Sequence, residues 1–329
     1  MKHVTHSINT FLKLFLVLFF ATCYVLRVTP VNAQQITLSL SPPLVETVIK
    51  PGKSMLIAYT INNLGDPLIV KAKILPFTAQ DNYGNIRLKD EFEGPIRFSL
   101  DNSVIKLEES FFLKSKETEQ LLLRIRIPEG APDGDYYYTL LVETQPPPSL
   151  DGTTGSQAKA TIGSNILITV TESGNIDVRG KIAIFNILPK IKLNLFGKQI
   201  KIFDSNDKIP VVLIVANDGQ NVAKSHGEIL LTGNFDEKAT YDIIPQNILS
   251  QSQRLIIASP SATIVSKTPT SLVLNGFFIG RYNLLANVYF DDGQNIFSAK
   301  TSFIALPFKI IMGIILAIFI GIVIHKKIR

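Results

Sequence analysis

Leu121-Leu122-Leu123-Arg124-Ile125-Arg126-Ile127 is the stretch that decides the fold. Leu121, Leu123, Ile125 and Ile127 share one parity, and Leu122, Arg124 and Arg126 the other. That is the two-residue period of a strand with a core side and a wet side. The same period recurs on either side of it. Met55, Ile57, Tyr59 and Ile61 alternate with Leu56, Ala58 and Thr60, and residues 136–143, 166–171, 282–290 and 297–303 alternate likewise. Turn chemistry separates these runs at Pro51-Gly52, Tyr83-Gly84-Asn85, Asp133-Gly134, Asn217-Asp218-Gly219 and Asp292-Gly293. Between the two ends of the chain no segment carries a helical stripe, so the fold class is all-β.

The pattern runs through twice. Residues 57–61 lead into Asn62-Asn63-Leu64-Gly65 and a strand over 68–75; residues 211–215 lead into Asn217-Asp218-Gly219 and a strand near 228–231. Further on, Gly134-Asp135-Tyr136 and Gly280-Arg281-Tyr282 each open a long strand. A repeat of this size predicts two tandem Ig-like β-sandwiches, over residues 34–173 and 174–303. In such sandwiches a tyrosine at this place bonds nearby backbone, the role expected of Tyr136 and Tyr282. Gln145 to Ser156, with its prolines and glycines, reads as a long hairpin loop or as the linker between the sandwiches.

Both ends are apolar. Residues 1–33 read as a signal peptide, with Lys2 and Lys13, an uncharged run over 14–26, and Val31-Asn32-Ala33 for cleavage; an uncleaved signal anchor is the alternative. Phe20-Ala21-Thr22 before Cys23 fits a lipidation motif poorly. Residues 310–324 carry no charge and residues 303–308 extend the run past Lys309, which predicts a transmembrane helix over 304–324. The basic tail 325–329 then places the C-terminus in the cytoplasm and residues 34–303 outside a cell membrane crossed once.

Composition excludes several chemistries. The net charge of +6 comes from the ends: three basic residues in 1–33 and four in 304–329, with no acidic residue in either. Removing those seven from 33 leaves 26 basic against 27 acidic residues in 34–303, so a nucleic-acid partner is not expected. Cys23 is the one cysteine and His226 the one histidine of 34–303, too few for a disulfide framework or a cysteine or multi-histidine metal site. A Ser–His–Asp set would need His226, which has no Gly-x-Ser-x-Gly companion and reads as a surface histidine. Glu108-Glu109 and Asp291-Asp292 are neighbours in sequence, so a strand points them to opposite faces. Asp204-Ser205-Asn206-Asp207 and Asp133-Gly134-Asp135 could ligate calcium but suit plain turns better. Pro51-Gly52-Lys53-Ser54 lacks the spacing of a P-loop. No catalytic residue, metal or cofactor is expected.

One charge run stands apart: Arg179, Lys181, Lys190, Lys192, Lys198 and Lys201 lie in residues 178–203 without an acidic neighbour. Ile191, Leu193 and Leu195 alternate with Lys190, Lys192 and Asn194, a strand with a lysine-bearing wet face. Such lysines protect a sheet edge. They also suit contact with anionic headgroups or wall polymer, which makes Lys190, Lys192, Lys198 and Lys201 the candidate partner-binding residues.

Lys50-Pro51-Gly52-Lys53, Asn82-Tyr83-Gly84-Asn85-Ile86 and the run from Arg126 through Pro128-Glu129-Gly130-Ala131-Pro132-Asp133-Gly134 to Tyr136 carry a further likeness. In their order along the chain they resemble the WxL-interacting proteins of Gram-positive cell surfaces. The resemblance implies a signal peptide, an N-terminal Ig-like domain that binds peptidoglycan, a second Ig-like domain that binds a host, and a C-terminal membrane helix. The expected function is therefore non-enzymatic: a membrane-anchored binding or scaffold protein of the cell envelope, contacting wall polymer, a surface protein or both through sandwich faces and edges. The first alternative is a carbohydrate-binding adhesive module, which would stack sugars on Tyr137, Tyr83 or Phe92 in a chain without tryptophan. The remote alternative is a secreted hydrolase.

Overall fold

The structure, a computed structural model, describes residues 35–145, 159–189, 191–195, 198–234, 236–259, 269–290 and 296–328. The expected signal peptide, Cys23, nearly all of the 145–156 segment, Lys190, and the Asp291-Asp292 pair with its turn lie outside the described residues.

The first body consists of β1 (Leu38–Ser41), β2 (Leu44–Ile49), β3 (Ser54–Asn63), β4 (Leu68–Ala79), β5 (Ile86–Leu88), β6 (Arg97–Leu100), β7 (Ser110–Leu113), β8 (Thr118–Arg126), β9 (Gly134–Gln145) and β10 (Thr161–Val170). One sheet has the order β1-β3-β8-β6; the facing sheet runs β2-β10-β9-β4-β5, with β7 also on β4. The chain changes sheet at Ser41-Pro42, a cis peptide bond, after which β2 lies parallel to β10 from Leu44 opposite Asn165 to Ile49 opposite Val170. The parity read at 121–127 holds: Leu121, Leu123, Ile125 and Ile127 are fully buried, together with Tyr59 and Ile61 of β3 and Val70, Leu140 and Ile166 of the other sheet. Each such side chain contributes about 1.5–3 kcal/mol when taken out of water.

The second body consists of β11 (Gly180–Ile187), β12 (Ile191–Leu195), β13 (Lys198–Asp204), β14 (Ile209–Asn217), β15 (Ala223–Thr232), β16 (Lys238–Asp242), β17 (Gln246–Ile248), β18 (Ser252–Leu255), β19 (Leu272–Leu274), β20 (Gly280–Phe290) and β21 (Ile296–Leu306). Its sheets run β11-β14-β18, with β19 on β14, and β12-β13-β21-β20-β15-β16, with β17 on β15. The order β13-β21-β20-β15 repeats β2-β10-β9-β4, down to the parallel first pair, Ile202 opposite Ile304. Aromatic rings fill this core: Tyr282 stacks on Phe303 with centroids 5.1 Å apart, and Phe278 meets both edge-on.

The sequence repeat has an atomic counterpart. Fully buried Asn63 accepts from the Gly65 N–H at 3.1 Å and donates to the carbonyls of Asp66 and Lys114. Fully buried Asn217 accepts from the Gly219 N–H at 2.9 Å and donates to the carbonyls of Asn221 and Ile248. In each body one amide side chain closes the turn and ties it to a distant loop. A side chain on either glycine would strike backbone, Gln35 O at Gly65 and Asp177 O at Gly219. The tyrosines behave as expected, the Tyr136 hydroxyl donating to Pro132 O at 3.0 Å and that of Tyr282 accepting from the Ile279 N–H at 3.3 Å.

The helix α1 (Phe308–Ile328) follows β21 with only Pro307 between them. The apolar run at 303–308 suggested a start at 304. Instead Ile304, Ala305 and Leu306 pair with Ile202, Phe203 and Asp204, and Ala305 is fully buried in the sandwich. Phe308–Lys326 is long and apolar enough to cross a membrane.

Candidate binding site at the domain junction

The register of β20 shows where the two bodies meet. Gly280 opens β20 opposite Ala305, close to α1, and Phe290 closes it opposite Ser225 of β15. The Ala223 end of β15 is therefore far from α1, and there the first body docks.

Asp135 is the centre of that contact. It stands second in β9, where Gly134, at φ 143°, lets the strand begin. Its Oδ1 accepts from Thr169 Oγ1 at 2.7 Å and from Asn221 Nδ2 at 2.8 Å. Its Oδ2 accepts from the Tyr137 hydroxyl at 2.8 Å and from the Val222 N–H. The Tyr137 oxygen in turn accepts from the Ser250 N–H at 2.9 Å. Burial, with the Asp135 charge beside it, pushes the Tyr137 hydroxyl far above the ordinary tyrosine range, so it stays protonated and donating.

Glu46 of β2 makes a second tie. Lys224 Nζ lies 2.8 Å from its Oε2, and the Asn247 side-chain amide donates to its Oε1. Desolvation raises this carboxyl, but hydrogen bonds from Lys224 and Asn247 and the Lys224 charge outweigh it and hold Glu46 below the ordinary glutamate value.

The third tie is the turn between β4 and β5. Asp81 accepts from the backbone of Tyr83 and Asn85, the Asn82 carbonyl accepts from the Leu255 N–H at 2.6 Å, and Gly84 lies against the Arg254 guanidinium. Gly84 adopts φ 90°, and a Cβ there would sit 2.7 Å from Arg254 Nη2. Glycine is needed here for both reasons. Arg254 Nη1 donates to Asn247 O at 2.7 Å, its Nε is buried without a partner, and burial lowers the guanidinium from its ordinary value.

Between these ties lies a cleft of about 240 Å³. Leu44, Phe77, Ile86 and Leu167 give it apolar walls, and Asn165, Asn247 and Arg254 give it polar ones. Its one hydroxyl, Ser252 Oγ, donates to Leu249 O at 2.8 Å. The Asp81 carboxylate lines it as well, and the apolar walls suit an apolar side chain flanked by backbone amides.

The residues singled out from sequence are scattered. Lys192 and Lys198 lie on β12 and β13 at the edge of the larger sheet, and half-buried Lys201 donates to Asn186 Oδ1 and, at 2.7 Å, to Thr301 Oγ1. Tyr83, Tyr137 and Phe92 form no common platform: Tyr137 stacks on Phe77 in the junction, Phe92 on Tyr138, and Tyr83 is exposed. His226 stacks on Tyr289. Asp133 accepts from the Glu172 N–H, and residues 204–207 form a turn, closed by the Asp207 N–H on Asp204 O at 2.9 Å, whose two carboxylates also hold the base of α1. No cluster of three metal-ligating side chains occurs among the described residues. Sequence reasoning read Asp135 only as a turn or calcium-loop residue inside the Gly-x-Tyr motif, with no sign of what it faces, and did not single out Glu46 or Arg254.

No protein-family model and no curated protein matches the chain. Among solved structures it is similar to the class 5 fimbriae chaperone CfaA, at 12% identity over 82% of this chain and 100% of that one, with a TM-score of 0.35. It is similar also to the E. coli chaperone DraB (13%, 82% and 96%, 0.35) and to the Salmonella enterica SafA pilin–SafB chaperone complex (12%, 82% and 98%, 0.36). Likeness at this level carries no functional inference. The two-sandwich architecture stands on the strand order of the chain itself.

Proposed function

We propose that the chain is a membrane-anchored binding protein of the cell envelope, with its two sandwiches outside and its C-terminus in the cytoplasm. The observation that carries this reading is the geometry of the two joints. α1 leaves one end of the second sandwich, and the first sandwich docks on the other, so the outer body stands away from the bilayer with its faces and edges free for partners. The resemblance to WxL-interacting proteins supports wall polymer as the ligand of the first sandwich and a protein as that of the second. Two of the three stretches carrying that resemblance, 82–86 and 126–136, reach the junction, a reason for them to recur in a two-domain binder. The reading is of a scaffold: the apolar walls and amides of the junction cleft suit a partner's side chain.

Binding of the purified 34–306 fragment, which keeps β21 whole, to insoluble cell wall, compared with capture of envelope proteins, tests it. Retention on the wall, or saturable capture of a surface protein, supports the proposal. Protease applied to intact cells should digest residues 34–303 and spare the C-terminal tail; full resistance under conditions that shave other surface proteins would refute the topology.

A further inference from the structure

The end of the second sandwich that bears α1 is greasy. Phe277 is 52% exposed, Ile279 42%, Leu306 39% and Leu188 36%. Bonds place the segments that carry them at this end of the sandwich. The Phe278 N–H donates to Ser205 O at 2.9 Å, the Ser205 N–H to Leu306 O at 3.1 Å, and the Leu188 N–H to Pro210 O at 3.0 Å. Next to Ser205, Asp204 Oδ2 accepts from the Lys309 N–H at 3.0 Å, and Asp207 Oδ1 accepts from Lys309 Nζ at 2.9 Å. These carboxylates cap a helix whose first turn has no acidic residue of its own. With one residue between strand and helix, the cap holds α1 close against the sandwich.

The helix is long enough to cross a membrane but has no length to spare. Its uncharged stretch, residues 310–324, spans about 22 Å at 1.5 Å per residue, against a hydrocarbon core of about 30 Å. The residues that would have lengthened it, 304–306, belong to β21. A short span draws whatever flanks it toward the bilayer. What flanks it here is an apolar rim around an ion pair, the composition of a surface that rests among headgroups.

We propose that the α1 end of the second sandwich docks into the interfacial layer of the bilayer, with Phe277, Ile279, Leu306 and Leu188 as its apolar contacts. This rests on the reading of α1 as a membrane anchor and adds that the domain lies on the membrane rather than swinging above it. The partner is the lipid surface itself, and zwitterionic lipid suffices because the rim is apolar.

The chain has no tryptophan, so single-tryptophan variants report without background. The full chain would be reconstituted in phosphatidylcholine vesicles with brominated acyl chains. Phe277→Trp and, independently, Ile279→Trp should show blue-shifted emission that bromine quenches. Phe112→Trp, at an exposed position on β7 of the first sandwich, should not. Phe319→Trp, within α1, reports the anchor. Quenching of Phe319→Trp without quenching at 277 or 279 overturns the docking and leaves the anchor standing. Absence of quenching at 319 removes the anchor, and the docking with it.

Discussion

Asp135 of the first sandwich and Asn221 of the second meet at 2.8 Å, and the same carboxylate accepts the Val222 N–H. One side chain thus takes donors from both bodies, which makes it the pin of the junction. Asp135→Ala strands the Asn221 amide, the Val222 N–H and the Tyr137 hydroxyl, at about 1–3 kcal/mol for a buried donor left unpaired. Hydrogen exchange should show protection lost at Val222 and Ser250 while the β8 and β20 amides stay protected. Unchanged protection at 222 and 250 would mean that the pin carries no load.

Gly84 and Gly130 separate conformation from contact. Both have positive φ, 90° and 74°, but a Cβ meets Arg254 at Gly84 and nothing within 4 Å at Gly130. Gly130→Ala should cost about 1–2 kcal/mol, the price of a left-handed alanine. Gly84→Ala should lower the urea midpoint clearly further and should expose the Leu255 amide. Equal midpoints would show that Arg254 moves aside freely.

The matching asparagines give a paired prediction. Asn63→Ala and Asn217→Ala each leave a buried glycine N–H without its acceptor and remove the side-chain donations to distant carbonyls, so each should destabilise its own sandwich by about 1–3 kcal/mol. Peptide-level hydrogen exchange should place the first loss in residues 35–145 and the second in residues 198–290. A loss shared by both bodies in both variants would mean that the sandwiches unfold as one unit.

Acid should loosen the junction at Glu46. Its carboxyl is held below the ordinary value in the folded protein, so its contribution is full above that ordinary value, near pH 4.5, and is lost as pH falls through the lowered folded one. Glu46→Gln should flatten this part of the acid dependence, read as protection of the Asn247 amide between pH 6 and about 3. An identical acid profile in wild type and variant would assign the loosening to another group.

Alternation made the sheets legible, because a parity such as that of Leu121 to Ile127 has only one burial pattern that satisfies it. The Asn-x-Gly and Gly-x-Tyr repeats made the two-body organisation legible as well. The start of α1 was not. An apolar strand that runs into an apolar helix gives no change of composition at the boundary, and only the pairing of Ile304 with Ile202 marks it. Nor was the junction, since Glu46, Asp135 and Arg254 look like ordinary surface or turn charges until the opposite body closes over each, as Asn221, 86 residues along, does over Asp135. The lysines of 190–201 drew notice by their density, yet Lys201 spends its ammonium on Asn186 and Thr301.

The joint at Pro307 also sets how the molecule carries tension. A pull between the bilayer and a ligand on the outer sandwich enters along the axis of β21, whose ladder with β20 extends from Gly280 opposite Ala305 to Tyr289 opposite Ile296. Antiparallel bonds lie across the strand direction. The load therefore shears the whole ladder together instead of peeling it bond by bond, the arrangement expected of a tether that has to hold under strain.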